Sequence, residues 1–191
     1  MSAQNRQRLY WVGRRNNDGS YAKVNVEQPE DRGILLHDIL ESHIPGSVGV
    51  GCRNRREEDG KLYRRFETHN EEKANALTTV QTDSMVAEPI HCYSTPCEWD
   101  ANGKPLPVYE VKDGRITIKG RQYHIKLADG FYIIRKPTVR ECMRLQTVPE
   151  WYEWPVSDSQ AHKMLGNGWT VDVIAHIMRW ITAWMEVNNN G

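Results

Sequence analysis

Two arginines one residue apart, Arg6 and Arg8, with Gln4 one step earlier, are the first side chains in this sequence equipped to hold a ligand. On an extended segment alternate residues face the same side, so both guanidinium groups would present their fixed donor forks in one direction. Taken alone, the alternation is better explained as the solvated face of an edge strand, with Leu9, Trp11 or Val12 packing elsewhere. A second candidate is Gly166-Asn167-Gly168-Trp169, a turn between two helical patterns whose glycines let backbone groups approach a ligand closely. Alone, it reads as a helix C-cap at Gly166 followed by a core aromatic at Trp169. Of the cysteines Cys52, Cys92, Cys97 and Cys142, no two pairs have zinc-ligand spacing.

The elements that must position these groups follow from periodicity and turn chemistry. Residues 8–14 (RLYWVGR) read as a strand leading into an Asn16-Asn17-Asp18-Gly19 turn. Leu35, Leu36, Ile39 and Leu40 have helical spacing within 31–42, and 46–75 reads as loop. Asp113-Gly114 joins VYEVK to RITIK as a tight hairpin, and Asp129-Gly130 is expected to join QYHIKL to FYIIR likewise. Thr138 with Glu141, and Ser157 with Gln160, are capping-box pairs that open helices ending near Gln146 and Gly166. Thr170 is expected to cap a long final helix with Asp172 in its first turn and an apolar stripe through Ile174, Ile177, Met178, Ile181, Trp184 and Met185.

Lysine plus arginine and aspartate plus glutamate number 25 each in 191 residues, so net charge is silent about an anionic partner and only local distribution can speak. It does so between 115 and 140, where seven basic residues face the single acid Asp129, and again at Arg53, Arg55, Arg56, Arg64 and Arg65. No leader-like or membrane-spanning apolar run occurs, which predicts a cytoplasmic protein with reduced thiols and no membrane partner.

Several segments, in order, resemble the C-terminal blocks of cytosine-5 DNA methyltransferases. Residues 4–8 (QNRQR) followed by LYWVG resemble that family's Q-x-R-x-R strand block. Residues 135–149 (RKPTVRECMRLQTVP) resemble its R-x-L-T-x-x-E-x-x-R-L-Q-x-x-P block, and 165–174 (LGNGWTVDVI) its closing G-N block. Between them, 75–86 (NALTTVQTDSMV) resembles the threonine-containing core of the target-recognition domain. Pro137 stands where the pattern often has leucine, and Thr147-Val148 replaces a common glycine-phenylalanine. The family's cofactor glycine loop, Pro-Cys nucleophile loop and Glu-Asn-Val block do not occur. Pro96-Cys97 has the right dipeptide but lies inside the recognition region and after the arginine block, so Cys97 reads as an ordinary cysteine.

The resemblance implies an α+β fold: an antiparallel β-rich target-recognition domain over 28–136, plus a strand segment (1–27) and C-terminal helices (137–187) that would complete a Rossmann-like methyltransferase domain. A disordered tail is expected at 188–191. It implies the C-terminal subunit or fragment of a DNA (cytosine-5-)-methyltransferase, acting on double-stranded DNA with S-adenosylmethionine. Such a chain would be inactive without an N-terminal methyltransferase subunit carrying the nucleophile. By resemblance, Arg8 meets the ring carbonyl of a flipped base and Arg6 supports acidic groups and phosphate. The same resemblance implies that Asn167, Gly168 and Trp169 close over the cofactor. Thr78, matching the family's recognition-core threonine, is expected to meet a phosphate; Gln81 is a candidate for reading a base edge, and Gln4, Lys119 and Arg121 are further expected DNA contacts. Glu141 and Arg144 are organisers rather than catalysts. The alternative is a stand-alone DNA-binding or regulatory module without chemistry.

Overall fold

The computed structural model describes residues 2–15, 18–42, 44–56, 60, 62–68, 73–90 and 105–189. The chain runs β1 (Gln4–Asn5), β2 (Gly13–Arg15), β3 (Tyr21–Lys23), α1 (Leu36–Ile39), β4 (Val48–Arg56), β5 (Leu62–Thr68), β6 (Ala74–Asn75) and β7 (Met85–Pro89). It continues through β8 (Val108–Lys112), β9 (Arg115–Ile118), β10 (Arg121–His124) and β11 (Gly130–Arg135) to helices α2 (Val139–Leu145), α3 (Asp158–Asn167) and α4 (Val171–Asn189). Seven strands form one sheet in the order β10-β9-β8-β11-β7-β4-β5, all pairs antiparallel. The sheet curls until its two ends meet: Phe66 of β5 packs edge-on against Tyr123 of β10 with centroids 5.4 Å apart, and the Thr68 hydroxyl donates to the Lys126 carbonyl at 3.2 Å. Val50, Phe66, Ala87, Val111, Ile116, Ile125 and Tyr132 fill the enclosed space.

Two hairpins make the meander. Asp113-Gly114 (φ 51° and 66°) and Lys119-Gly120 (φ 50° and 75°) both take left-handed conformations, the pair of positive φ values that matches the twist of flanking strands. The first follows expectation; the second carries a lysine where asparagine or aspartate is usual. Asp129-Gly130 is not a hairpin turn. β10 pairs only with β9, whereas β11 crosses back to lie between β8 and β7. The stretch 46–75, expected as loop, holds the long β4–β5 pair from Val50↔Thr68 to Arg56↔Leu62. The arginines at 53, 55, 56, 64 and 65 obscure, in the sequence, the alternation that buries Val50 and Phe66.

A second core gathers Ala3, Leu36, Ile39, Leu40, Ala74, Leu77, Val86, Cys142, Met143, Leu145 and Leu165. It draws on all three expected segments. The strand expected at 8–14 is displaced: β1 ends at Asn5, the chain from Arg6 to Val12 is outside any strand, and β2–β3 forms an isolated ribbon with Leu9, Trp11 and Tyr21 all exposed. β1 pairs in parallel with β6. The helix expected over 31–42 is reduced to the single turn of α1. α4 continues through Asn189, past the expected onset of a disordered tail, and 190–191 lie outside the described residues. Among the described residues no helix is long and apolar enough to cross a membrane.

Candidate functional site

Gln4 is the foundation. It is 5 % exposed, and its amide nitrogen donates to the Leu145 carbonyl at 2.8 Å, to Gln146 Oε1 at 3.1 Å and, more weakly, towards Thr170 Oγ1 at 3.5 Å. Its amide oxygen accepts from the Leu77 N–H at 3.1 Å. Gln146, equally buried, donates to the Leu165 carbonyl at 2.6 Å and accepts from the Thr170 hydroxyl at 3.2 Å. One buried polar node thus joins β1, the chain after β6, α2, α3 and the start of α4. Buried amides hold position only when every donor and acceptor is met, and these are. Gln4, expected at the DNA surface, therefore faces inward and is withdrawn from that role. Gln146 carried no sequence signal beyond its place in the R-L-Q segment.

Arg6 is built on that node. It donates from Nη1 to the Leu77 carbonyl at 2.5 Å and from Nη2 to the Gly168 carbonyl at 2.9 Å, tying the chain after β6 to the α3–α4 turn. Partial burial, then the neighbouring charge of Arg8, hold its pKa below the ordinary guanidinium range. Arg6 pairs with carbonyls and not with the acidic groups expected for it. Arg8 is exposed beside an open cleft of about 1340 Å³, walled by the 6–13 segment, the chain from Tyr21 to Pro29, and Val173 and Ile177 of α4.

The turn itself presents Asn167 and Trp169 to solvent, the latter 63 % exposed rather than in the core, with Gly168 half-buried between them. Gly166 lies inside α3, which ends at Asn167 with Gly168 as its C-cap, so Gly166 has a different role from capping. A Cβ there would meet the Thr78 carbonyl oxygen at 2.3 Å, a contact that backbone cannot absorb. Gly51 of β4 serves the same segment from the other side, where a Cβ would meet Asn75 Nδ2 at 2.6 Å and the Asp83 carbonyl at 2.9 Å. The stretch from Asn75 to Asp83 is seated between two glycines.

Within that stretch Thr78 donates to Asp83 Oδ2 at 3.0 Å and accepts from the Val80 N–H at 3.0 Å, so its hydroxyl shapes the loop from within. Thr79, Val80 and Thr82 are the exposed residues, and neither threonine was singled out from sequence. Gln81 opens a 3-10 turn (Gln81–Asp83); its side chain lies outside the described residues. Lys119 and Arg121 are exposed at the tip of the β9–β10 hairpin, in a different part of the sheet from this loop.

Between sheet and helices, Arg135 donates from Nε and Nη2 to Glu88 at 2.9 and 2.7 Å, and from Nη1 and Nη2 to Glu141 at 2.7 and 2.8 Å. Burial opposes its charge, but the two carboxylates more than offset this and hold its pKa above the ordinary value. Glu141 also completes the capping box, accepting from the Thr138 N–H at 2.8 Å while Thr138 Oγ1 accepts from the Glu141 N–H at 3.1 Å. Arg144 donates to the Ile39 carbonyl at 3.0 Å and pairs with Glu150. Cys142 is a buried thiol, 3.5 Å from His162 Nδ1, pushed up to about 12 by burial and by Glu141, which makes it a poor nucleophile. Pro96, Cys97 and Cys92 lie outside the described residues. Among the described residues no group of His, Cys, Asp or Glu is arranged to hold a metal.

Several known proteins are similar to this chain along most of its length. Over 173 residues, 90 % of the chain, it is 28 % identical to type II methyltransferase M1.ScrFI of Lactococcus lactis subsp. cremoris and 29 % identical to type II methyltransferase M.HpaII of Haemophilus parainfluenzae. It is 24 % identical over 180 residues to type II methyltransferase M.NlaX of Neisseria lactamica. The chain spans 37 %, 44 % and 48 % of the length of those three relatives. No solved structure gives a significant match. The family model for C-5 cytosine-specific DNA methylases matches residues 2–183, and the chain belongs to that family.

Proposed function

We propose that the chain is the C-terminal, target-recognition part of a DNA (cytosine-5-)-methyltransferase, working with a region that carries the Pro-Cys nucleophile and inactive without it. The observation that carries this reading is the meeting of four sequence blocks at one buried node, with Arg8 left exposed two residues beyond the anchored Arg6. Methylating carbon 5 requires the cytosine to leave the stack and be held by its edge. Arg8, free of the node, offers a planar donor fork to the ring carbonyl of such a base. Arg6 fixes the chain from which Arg8 projects, the kind of supporting shell that keeps a reactive constellation in place.

The donor set of the α3–α4 turn fits one end of S-adenosylmethionine: Asn167 brings an amide that both donates and accepts, and Trp169 an exposed aromatic face. That cofactor supplies the methyl group. Leu9, Trp11 and Tyr21, and Met178 and Met185 of α4, are exposed apolar side chains, in keeping with docking of the nucleophile-bearing region. Double-stranded DNA is approached by the exposed loop residues Thr79, Val80 and Thr82, with Thr78 and Gln81 forming that loop, and by Lys119 and Arg121.

The DNA half of this reading is tested by titrating duplex DNA at several salt concentrations. Saturable binding is expected, with a log–log salt slope that shrinks by about 2 in the double variant Lys119→Glu/Arg121→Glu, one for each lost phosphate contact. A slope unchanged by that variant removes the hairpin from the interface.

A further inference from the structure

The loop from Leu77 to Asp83 and the α3–α4 turn are in direct register with each other. Arg6 spans them with one hydrogen bond to each, to the carbonyls of Leu77 and Gly168. Gly166 lets the loop backbone at Thr78 and Thr79 rest on α3 with no room for a methyl group between them. Gln4 holds the Leu77 N–H from one end of its amide and the Leu145 carbonyl from the other. On the opposite side, Gly51 seats the Asp83 end of the loop against β4. A segment held this way has no slack: a shift of the turn pulls on Leu77 through Arg6 and presses on Thr78 through Gly166. Packed contacts of this kind transmit discrete displacements between sites.

We propose that loop 77–83 and turn 166–169 move as one body, with Arg6 the positioning residue that couples them, so that DNA held at the loop and a ligand held at the turn alter each other's binding. What binds at each end rests on the function proposed above; the mechanical link does not. Coupling between two such sites is commonly about 5- to 150-fold in affinity, and reciprocal.

Amide hydrogen exchange on the full chain tests the link without any ligand. Val80 and Asp83 report on the loop, through hydrogen bonds to Thr78 Oγ1 and the Val80 carbonyl. Gly168 and Val171 report on the turn, through bonds to the carbonyls of Met164 and Gln146. In Arg6→Met both pairs are expected to exchange faster, each by a factor of about ten or more, from the loss of two charge-assisted bonds, while amides of the β8–β9 hairpin stay unchanged. Arg6→Lys keeps the charge but cannot fork to both carbonyls, and is expected to uncouple the pairs with less cost to folding. Acceleration of one pair alone, or of all amides alike in both variants, overturns the proposal. A mixture of random-sequence DNA duplexes then supplies a second arm. It should slow all four reporters in the natural protein but only Val80 and Asp83 in Arg6→Lys; slowing confined to the loop in the natural protein also overturns the coupling. If DNA slows none of them, the DNA assignment of the loop fails, and the ligand-free exchange alone decides the link.

Discussion

Thr147 follows α2 at φ 54°, a left-handed conformation costing a β-branched residue roughly 1–2 kcal/mol, where the family pattern often has glycine. The structure supplies the compensation: Thr147 Oγ1 accepts the Asp172 N–H at 2.9 Å and so caps α4 from another element. Thr147→Ala keeps strain and loses the cap, and should lower stability by about 1 kcal/mol in urea denaturation. Thr147→Ser keeps the cap, sheds the branched methyl, and should equal or exceed the natural protein. Gln4→Ala is expected to cost about 1–3 kcal/mol, because it leaves the Leu77 N–H and other buried groups unmatched. A loss of DNA affinity without loss of stability would instead return Gln4 to the interface. At this scale the sequence revealed which residues matter better than why. Gln4 and Arg6 look like any polar alternation, and only a partner more than seventy positions away tells a buried strut from a solvated side chain.

The elements were legible wherever the signal is local. Thr138 and Glu141 form their capping box, and Asp113-Gly114 makes its hairpin, since both depend on contacts within a few residues. Ser157 caps no backbone N–H, its hydroxyl lying 3.4 Å from Gln160 Oε1, and β4–β5 was read as loop because its many arginines obscure the buried positions in the sequence. Strand order was beyond reach: nothing near Gly130 announces that β11 will bypass β10 to join β8. The Arg135 junction ties these elements, and its pH dependence follows in sign. Burial favours neutral Glu141, but bonds from Arg135 and the backbone outweigh it and bring its pKa below the ordinary 4.5. Its stabilising contribution is therefore complete above about pH 4.5 and is lost as pH falls through the lower folded value. Glu141→Gln should be destabilised by about 3 kcal/mol near neutrality and show a shallower loss of stability below pH 4.5 in denaturant titrations.

Across the whole molecule, a single core takes Ala3, Leu36 and Leu145 together, so residues from either side of positions 27 and 136 pack against one another. The α+β content and the large antiparallel sheet appear as expected, while its near-closure through Phe66 and Tyr123 depends on two strands distant in sequence. The family was readable because its blocks keep their order; the node that unites them was not, because hydrogen bonds across more than a hundred residues leave no trace in spacing. The central claim is that this chain supplies the grip on an extruded cytosine and a companion region supplies the thiolate. Labelled methyl incorporation into duplex DNA, from S-adenosylmethionine, measures it directly in the assembled enzyme. The account predicts no incorporation by this chain alone, incorporation when the nucleophile-bearing region is present, and a loss of about a hundredfold in kcat/KM for Arg8→Ala with DNA affinity nearly unchanged. Incorporation by this chain alone, or full activity of Arg8→Ala in the assembled enzyme, would contradict it.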